Sequence, residues 1–493
     1  MLAPTEEQTA ALEAFKKGDH LALQAGAGTG KTTTLTLLAA HGAEQGRQGR
    51  YLAFNKTIAT AAASVFPRNV QCRTAHSLAY AAVGHRYRTR LNSPRAPLWR
   101  IGEELGITRT TRIGTRDVGP RALSHTVLQA LTRFCHSADP EPAHHHVPPL
   151  RGIDTDEDRT HLADLALPYA RKAWDDLQNP HGGVVRFDHD HYLKIWALTE
   201  PTIPADFLLL DEAQDTNPVL EAVLHHQRPH TQIVVVGDSA QAIYGWRGAR
   251  DIMTGFTGTH LNLSQSFRFG PALAREANRW LALSGAALRL AGTPDIPTRL
   301  GPSHPTATVL CRTNIGAMRE VLHHLDARLR VALTGGGGAL HALAQAARDL
   351  KAGKPTTHPE LLLFRNWGEL QDYAENDPSG RDLAPLVTLV DDHGTDAILN
   401  AVAQLTPEPN ADITISTAHK AKGREWPRVR IAEDFLPPAD SEDRTDAHGN
   451  PLPGPIDASE ARLSYVAITR ARHHLDLGGL SWINTHPDGS PAL

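Results

Sequence analysis

The strongest constraint on this chain is the segment Ala25-Gly26-Ala27-Gly28-Thr29-Gly30-Lys31-Thr32. An apolar run, Leu21-Ala22-Leu23, leads into it, and a helical pattern, Leu35 to Ala40, leads out. Small residues between a strand and a helix let backbone N–H groups close around phosphates, and the helix N-terminus adds its positive end. The spacing predicts a nucleotide-binding P-loop, with Lys31 reaching the outer phosphates and Thr32 holding Mg²⁺. Ala25 stands at the first position of the pattern, where Gly is usual.

Short apolar runs recur along the chain, each followed by a helical pattern. They are Tyr51-Leu52-Ala53-Phe54, Phe207 to Leu210, Ile233 to Val236, Thr308-Val309-Leu310, Ile413-Thr414-Ile415 and Val429-Arg430-Ile431. Continuous apolar strands alternating with helices predict parallel sheets covered on both faces. The runs fall before and after about residue 265, so the expected fold class is α/β, with two domains. The first comprises 1–80 and 181–265, and is interrupted by 81–180. That insertion lacks strand runs and carries helical patterns at Ala122 to Phe134 and Leu162 to Leu177. The second comprises 266–338 and 409–493, and is interrupted by the mostly helical 339–408. Pro437 to Ile456, rich in Pro, Gly and Asp, reads as an exposed loop.

A formal net charge of −4 over 493 residues means that any nucleic-acid contact must be a local track. Cys72, Cys135 and Cys311 are far apart and form no CxxC, which suggests a reducing compartment without structural zinc or disulfides. There is no apolar signal stretch and no membrane-length run, so a cytoplasmic protein with no membrane partner is expected. His144-His145-His146 lies between prolines. It reads as a solvated loop rather than a metal tract, because no carboxylate or Cys stands at ligand spacing around it.

Leu208-Leu209-Leu210-Asp211-Glu212-Ala213-Gln214-Asp215 places paired carboxylates at the C-terminal end of a buried strand. A Mg²⁺–ATP site needs one carboxylate near the metal, here Asp211, and one to orient or deprotonate the attacking water, here Glu212. Together with Val236 to Ala249, this passage resembles the superfamily 1A helicases of the UvrD/Rep/PcrA type. The resemblance runs through nearly the whole chain in the family's motif order: Pro4 to Gln8, Phe54-Asn55-Lys56, Thr74 to Ser77, Leu263 to Arg268, Thr417 to Trp426 and Tyr465 to Ala471. Tyr51 to Lys56 with Phe66-Pro67 and Ala75 to Tyr80, and also His191 to Trp196, resemble the F-box DNA helicase branch and its bacterial and phage relatives. No F-box is expected, since the chain begins almost at the first motif.

The resemblance implies two RecA-like P-loop NTPase domains, each interrupted by a mainly helical insertion, the second insertion being a reduced form of the mobile subdomain of larger relatives. It also implies ATP and Mg²⁺ as cofactors. Gln8 would read adenine, and Ala25, Gly26, Ala27, Gly28, Thr29 and Gly30 would cradle phosphates with Lys31 and Thr32. Gln241 would sense the γ-phosphate, Arg268 and Arg470 would act as arginine fingers, and Glu425 would meet the ribose. Phe267 stands where the family usually stacks a Tyr on adenine. Thr33 stands where the family often has Arg, so stacking on adenine would be one-sided.

A motor on single strands needs aromatic faces and phosphate donors. Tyr244, Trp246 and Arg247 offer both beside Gln241, with Trp246 the candidate stacking platform. Asn55, Lys56, His76 and His419 are further candidates for strand contacts. The expected activity is an ATP hydrolase coupled to 3′–5′ movement on single-stranded or tailed DNA, in repair or recombination. The rivals are a translocase that strips proteins without unwinding, and an ATP-gated DNA-binding subunit beside a nuclease or recombinase partner in repair or phage defence. A small-molecule P-loop kinase would leave the Val236–Ala249 and Ala467–Ala471 passages unexplained.

Overall fold

The computed structural model describes residues 3–94, 96–150, 152–245, 249–302, 308–362, 364–376, 383–445 and 448–490. By contacts the chain divides into two units. One is Met1–Ala25 with Gly30–Leu263, and the other is Gly26–Thr29 with Ser264–Leu493.

The first unit is built on six parallel strands: β1 (Leu21–Ala25), β2 (Gly49–Ala53), β3 (Val70–Thr74), β4 (Phe207–Leu210), β5 (Gln232–Gly237) and β6 (Thr259–Leu263), in the order β3-β2-β4-β5-β1-β6. Every residue of β4 and β5 is buried, as strands covered on both faces require. Alternate side chains serve two cores. Leu209, Val234 and Val236 join Phe15, Leu35 and Leu38 on one face. Leu208, Ile233 and Val235 share the other with Val127, Phe134 and Trp174 from the insertion. The insertion is helical at Leu98–Leu105, Pro120–His136 and Asp156–Gln178, and helix His189–Ala197 follows it. The insertion also holds a small antiparallel hairpin, Thr111–Ile113 with Arg116–Val118, in a segment whose sequence shows no strand run.

The second unit has its own six parallel strands: β7 (Arg299–Leu300), β8 (Thr308–Cys311), β9 (Val331–Leu333), β10 (Ile413–Thr417), β11 (Trp426–Ile431) and β12 (Ala471–Asp476), in the order β7-β12-β11-β8-β10-β9. Helices Gly338–Lys351, Trp367–Asn376 and Ala384–Ala403 interrupt the strands. Their Leu343, Leu370 and Leu389 enter the same core as Val309, Ile413 and Ile415. The segment expected as a bare loop, Pro437 to Ile456, contains a short antiparallel pair, Asp440–Thr445 with Pro451–Pro453, and is otherwise largely exposed.

Candidate nucleotide and strand site

The P-loop follows buried β1, and helix Lys31–Glu44 is entered through Gly30, whose φ of 77° is left-handed. Glycine adopts that conformation without steric cost, and it has no side chain with which to cap the helix. The first-turn N–H groups are thus left for an anion. Thr32 is exposed on this turn. Lys31 Nζ lies 3.4 Å from Glu212 Oε1, so the two motifs that are distant in sequence meet at one charge pair.

Asp211 directly follows β4 and is buried. The Tyr51 hydroxyl donates to its Oδ2 at 2.7 Å, and the Glu212 N–H donates to its Oδ1 at 2.9 Å. Burial, and then the charge of Glu212, push the Asp211 carboxyl above its ordinary range, while Lys31 and Tyr51 pull it down. A carboxylate under that pressure is stabilised by a cation. Carboxylate and hydroxyl oxygens, as on Asp211 and Thr32, are the hard donor type that suits Mg²⁺. Glu212 adopts φ 53°, a left-handed conformation costly for a side chain bearing Cβ and common at functional sites.

A hydrogen-bonded path leaves Glu212. Gln214 Nε2 donates to Glu212 Oε2 at 2.6 Å, and Gln214 Oε1 accepts from the Asp238 N–H at 3.0 Å. Asp238 Oδ2 accepts from Gln241 Nε2 at 2.7 Å. Glu212 and Gln241, the candidates for water activation and phosphate sensing, are therefore joined through Gln214 and Asp238. Gln8 is buried and occupied locally: its Oε1 accepts from the Thr5 N–H at 3.1 Å, and its Nε2 donates to Thr34 Oγ1 at 3.1 Å.

The strand-contact candidates divide. Asn55 Oδ1 accepts from the Ile58 N–H at 2.9 Å and caps helix Lys56–Ala63, a structural duty that accounts for its identity. Lys56 is exposed on the first turn of that helix. A cavity of about 100 Å³ is bordered by Phe54, His76, Asp211 and Glu212, so one candidate strand-contact position, His76, adjoins the two candidate catalytic carboxylates. Tyr244 is half-buried. Trp246 and Arg247 lie outside the described residues.

In the second unit the structure gathers Arg268, Glu425 and Arg470. Arg268 Nε donates to Glu425 Oε2 at 2.7 Å, and its Nη1 donates to the Thr469 carbonyl at 3.0 Å. Glu425 also meets Arg472 at 3.6 Å. Arg470 is buried, with Nε donating to the Val466 carbonyl at 2.9 Å and Nη2 to Thr469 Oγ1 at 3.1 Å. Phe267 is 42% exposed, an open aromatic face. His419 sits on the short helix Ala418–Ala421, which Thr417 caps.

The histidine tract needs a correction. A carboxylate does stand beside it: Asp139 Oδ2 lies 2.7 Å from His145 Nε2 and 3.0 Å from His146 Nε2. His146 is buried rather than solvated. Its Nδ1 accepts from the Ala143 N–H at 2.9 Å, which leaves the proton of the neutral ring on Nε2. That nitrogen is then a donor towards Asp139 and Ser137, not a lone pair for a metal.

Four residues that the motifs did not single out shape the site: Tyr51, Gln214, Asp238 and Asp190. Tyr51, Gln214 and Asp238 lie inside recognised segments, and only their partners were hidden. Asp190 carried no signal at all.

Residues 8–247 match the AAA domain family, and residues 364–481 match the UvrD-like helicase C-terminal domain family. The chain is 29% identical over 516 residues to F-box DNA helicase protein 1 of Schizosaccharomyces pombe, covering 96% of this chain and 57% of that protein. It is 28% identical over 504 residues to F-box DNA helicase 1 of Gallus gallus, covering 95% and 48%. ATP-dependent DNA helicase UvrD2 of Mycobacterium tuberculosis is 27% identical over 346 residues, covering 57% and 48%. The chain thus spans about half the length of these curated relatives. Among the described residues, no helix is long and apolar enough to cross a membrane. With both domain families matched in the order that the motifs require, the chain belongs to the UvrD-like superfamily 1 helicases.

Proposed function

We propose that this protein is an ATP-dependent DNA helicase or translocase that moves 3′ to 5′ on single-stranded DNA during repair or recombination. The observation that most supports this reading is the joined set Lys31, Glu212, Gln214, Asp238 and Gln241, which links a hydrolytic carboxylate to the segment carrying Tyr244, Trp246 and Arg247. ATP with Mg²⁺ supplies the phosphoryl group and its charge-neutralising ion. Lys31 and the P-loop amides hold the phosphates, Thr32 and Asp211 hold the ion, and Glu212 orients and deprotonates water. Gln8, Phe267 and Glu425 serve the nucleoside. Arg268 and Arg470 stabilise charge on the transferred group. Gln241 relays the phosphate state to the strand contacts, which comprise Trp246 stacking and donors from Arg247, Asn55, Lys56, His76 and His419.

Glu212→Gln is the direct test of the hydrolytic assignment. It should leave ATP bound but unhydrolysed, seen as retained nucleotide with turnover lost, and near-normal ATPase in this variant would remove Glu212 from the mechanism. Unwinding of 3′-tailed but not 5′-tailed or blunt duplex tests the polarity. One observation favours the translocase alternative: the second-unit insertion shares its core with the sheet, as a motor without a separately moving subdomain would have it. Protein displacement without strand displacement would select that alternative.

A further inference from the structure

Outside the motifs, the most unusual cluster in the first unit is a carboxylate held between two imidazoles. Asp190 lies on the first turn of helix His189–Ala197. Its Oδ1 is 2.9 Å from His76 Nε2 and its Oδ2 is 3.1 Å from His136 Nε2. The three groups come from three helices, Ala75–Ala82, Pro120–His136 and His189–Ala197, the second belonging to the insertion. All three remain partly open to solvent.

The tautomers follow from this geometry. An ionised carboxylate only accepts, so each Nε2 that it engages carries the proton. Burial alone would raise the Asp190 carboxyl, but the hydrogen bonds and charge of His136 and His76 outweigh it and hold the group far below its ordinary range. For His76, the nitrogen that Asp190 does not engage is then Nδ1. In the neutral ring this atom is a lone pair, which repels phosphate. In the imidazolium it is a charged donor, which binds phosphate.

The surrounding groups do not supply the same response. His191 Nδ1 accepts from the Asp188 N–H at 2.9 Å, and burial lowers that ring's affinity for a second proton, so it stays neutral. Burial, and then the charge of Asp190, push the Tyr192 hydroxyl up to about 12. Burial pushes the Cys135 thiol up as well. Tyr80 packs edge-on to Tyr192, and Arg90 acts on His191 through charge. Lys194 contacts the 137–139 turn, and Asp211 and Glu212 lie across the small cavity from His76.

We propose that Asp190 is a positioning residue for the DNA grip: it pins the Nε2 edges of His76 and His136, so that the Nδ1 edge of His76, once protonated, takes one phosphate of a single strand. The proposal rests on the single-strand reading above. It adds a component of affinity that only the charged imidazole supplies, so that component weakens as pH rises.

The test is equilibrium binding of a fluorescent oligothymidylate by anisotropy, without nucleotide, across a salt series at about pH 6 and about pH 8. Wild-type affinity should fall by roughly tenfold between the two. Its log–log salt slope should flatten by roughly 0.7, the value of one single-strand phosphate contact. Asp190→Asn should remove both pH effects, and Asp190→Glu, which keeps the charge, should restore part of them. A purely structural Asp190 would lower the melting temperature of the Asn variant without changing its salt slope, and that result overturns the proposal. If Asp190→Asn does not fold, His76→Gln decides. This amide still reaches Asp190 but cannot ionise, so retained pH dependence in it is equally fatal. A wild-type protein that binds the oligonucleotide with one slope at both pH values overturns the role of Asp190 alone. A wild-type protein that binds no strand at either pH overturns the single-strand reading with it.

Discussion

The two sheets make an instructive pair. In each, an early buried strand from the sheet interior, β1 or β8, runs directly into a helix. After β1 comes a five-residue turn closed by left-handed Gly30, and helix Lys31–Glu44 begins without a side-chain cap. After β8 come only Arg312 and Thr313. Thr313 Oγ1 caps helix Asn314–Asp326 by accepting from the Gly316 N–H at 2.8 Å. Asp434 then takes what is left: its carboxylate accepts from the N–H groups of Arg312 and Thr313 at 2.9 and 2.8 Å, and from the Thr313 hydroxyl at 2.9 Å. In the first loop the Ala27 N–H donates to the Tyr465 hydroxyl and Lys31 pairs with Glu212, but no side chain caps the first-turn amides of helix Lys31–Glu44. The second fills the equivalent donors with an anion of its own. Parallel-sheet architecture alone therefore does not make a phosphate site; what distinguishes the first loop is that no side chain caps the amides of the helix that follows it.

The harshest attempt to break this comparison is Lys31→Ala. It removes the cation from the open loop, so ATP turnover should vanish and nucleotide binding should weaken, read by single-turnover hydrolysis and by fluorescent-nucleotide titration. Intact nucleotide affinity in that variant would mean that the open loop is not the phosphate site. Next in size is Arg470→Ala. An arginine finger contributes about 3–4 kcal/mol to the transition state, so kcat should drop by roughly 10²–10³ with a smaller change in nucleotide affinity. Because Arg470 also bonds the Val466 carbonyl and Thr469 Oγ1, its melting curve must be measured alongside. A raised KM with kcat preserved would assign it a binding role instead.

How far the comparison could be read from sequence differs between the two loops. The P-loop and the Asp211-Glu212 pair are local patterns, fixed by a few adjacent residues. The partners that complete or close each loop are not local. Tyr51 meets Asp211 across 160 residues, His76 meets Asp190 across 114, and Thr313 meets Asp434 across 121. Those meetings are set by strand order and helix packing, which no single window encodes. The strands behave likewise. β4 and β5 are legible as unbroken apolar runs because both their faces are covered. The edge strands β3 and β6 alternate buried with open residues, placing Gln71, Arg73, His260 and Asn262 among their side chains, and so show no apolar run. Even the interior strand β12 reads Ala-Arg-His-His-Leu-Asp, with Arg472 and His473 exposed. Only neighbouring strands reveal it as part of the sheet.

A milder change sharpens the comparison from the closed side. Asp434→Ala should leave the Arg312 and Thr313 donors without their carboxylate, at a cost of about 1–3 kcal/mol in stability. Urea denaturation should show that loss, while ATP turnover in the folded protein stays within the same order of magnitude. If turnover collapsed with the fold intact, the second loop would belong to the nucleotide machinery, and the contrast between open and closed loops would fail.

The smallest expected effect separates two lysines within the first unit by the same criterion. Lys31 pairs with Glu212 across 3.4 Å, and the function proposed above gives it a phosphate. Lys194 is fully buried and already served: its Nζ donates to the carbonyls of Ser137 and Asp139 at 2.7 and 2.6 Å, and lies 4.3 Å from the centre of the Phe134 ring. Burial brings the Lys194 ammonium down to about 8. The unfolded chain holds that proton up to about pH 10.4, so between about 8 and 10.4 the unfolded state binds more protons than the folded one. Stability from this group therefore rises with pH across that window and is flat below it. Lys194→Met keeps the bulk but cannot donate or titrate. It should be less stable at neutral pH, and the gap to wild type should widen between about pH 8 and 10, by less than the one-proton ceiling of about 1.4 kcal/mol per pH unit. Tyrosine and cysteine titrations occur in both proteins and cancel in the difference. A gap that stays constant across that range would show that Lys194 is not held in a dry, prepaired site, and the distinction between the two lysines would then rest on geometry alone.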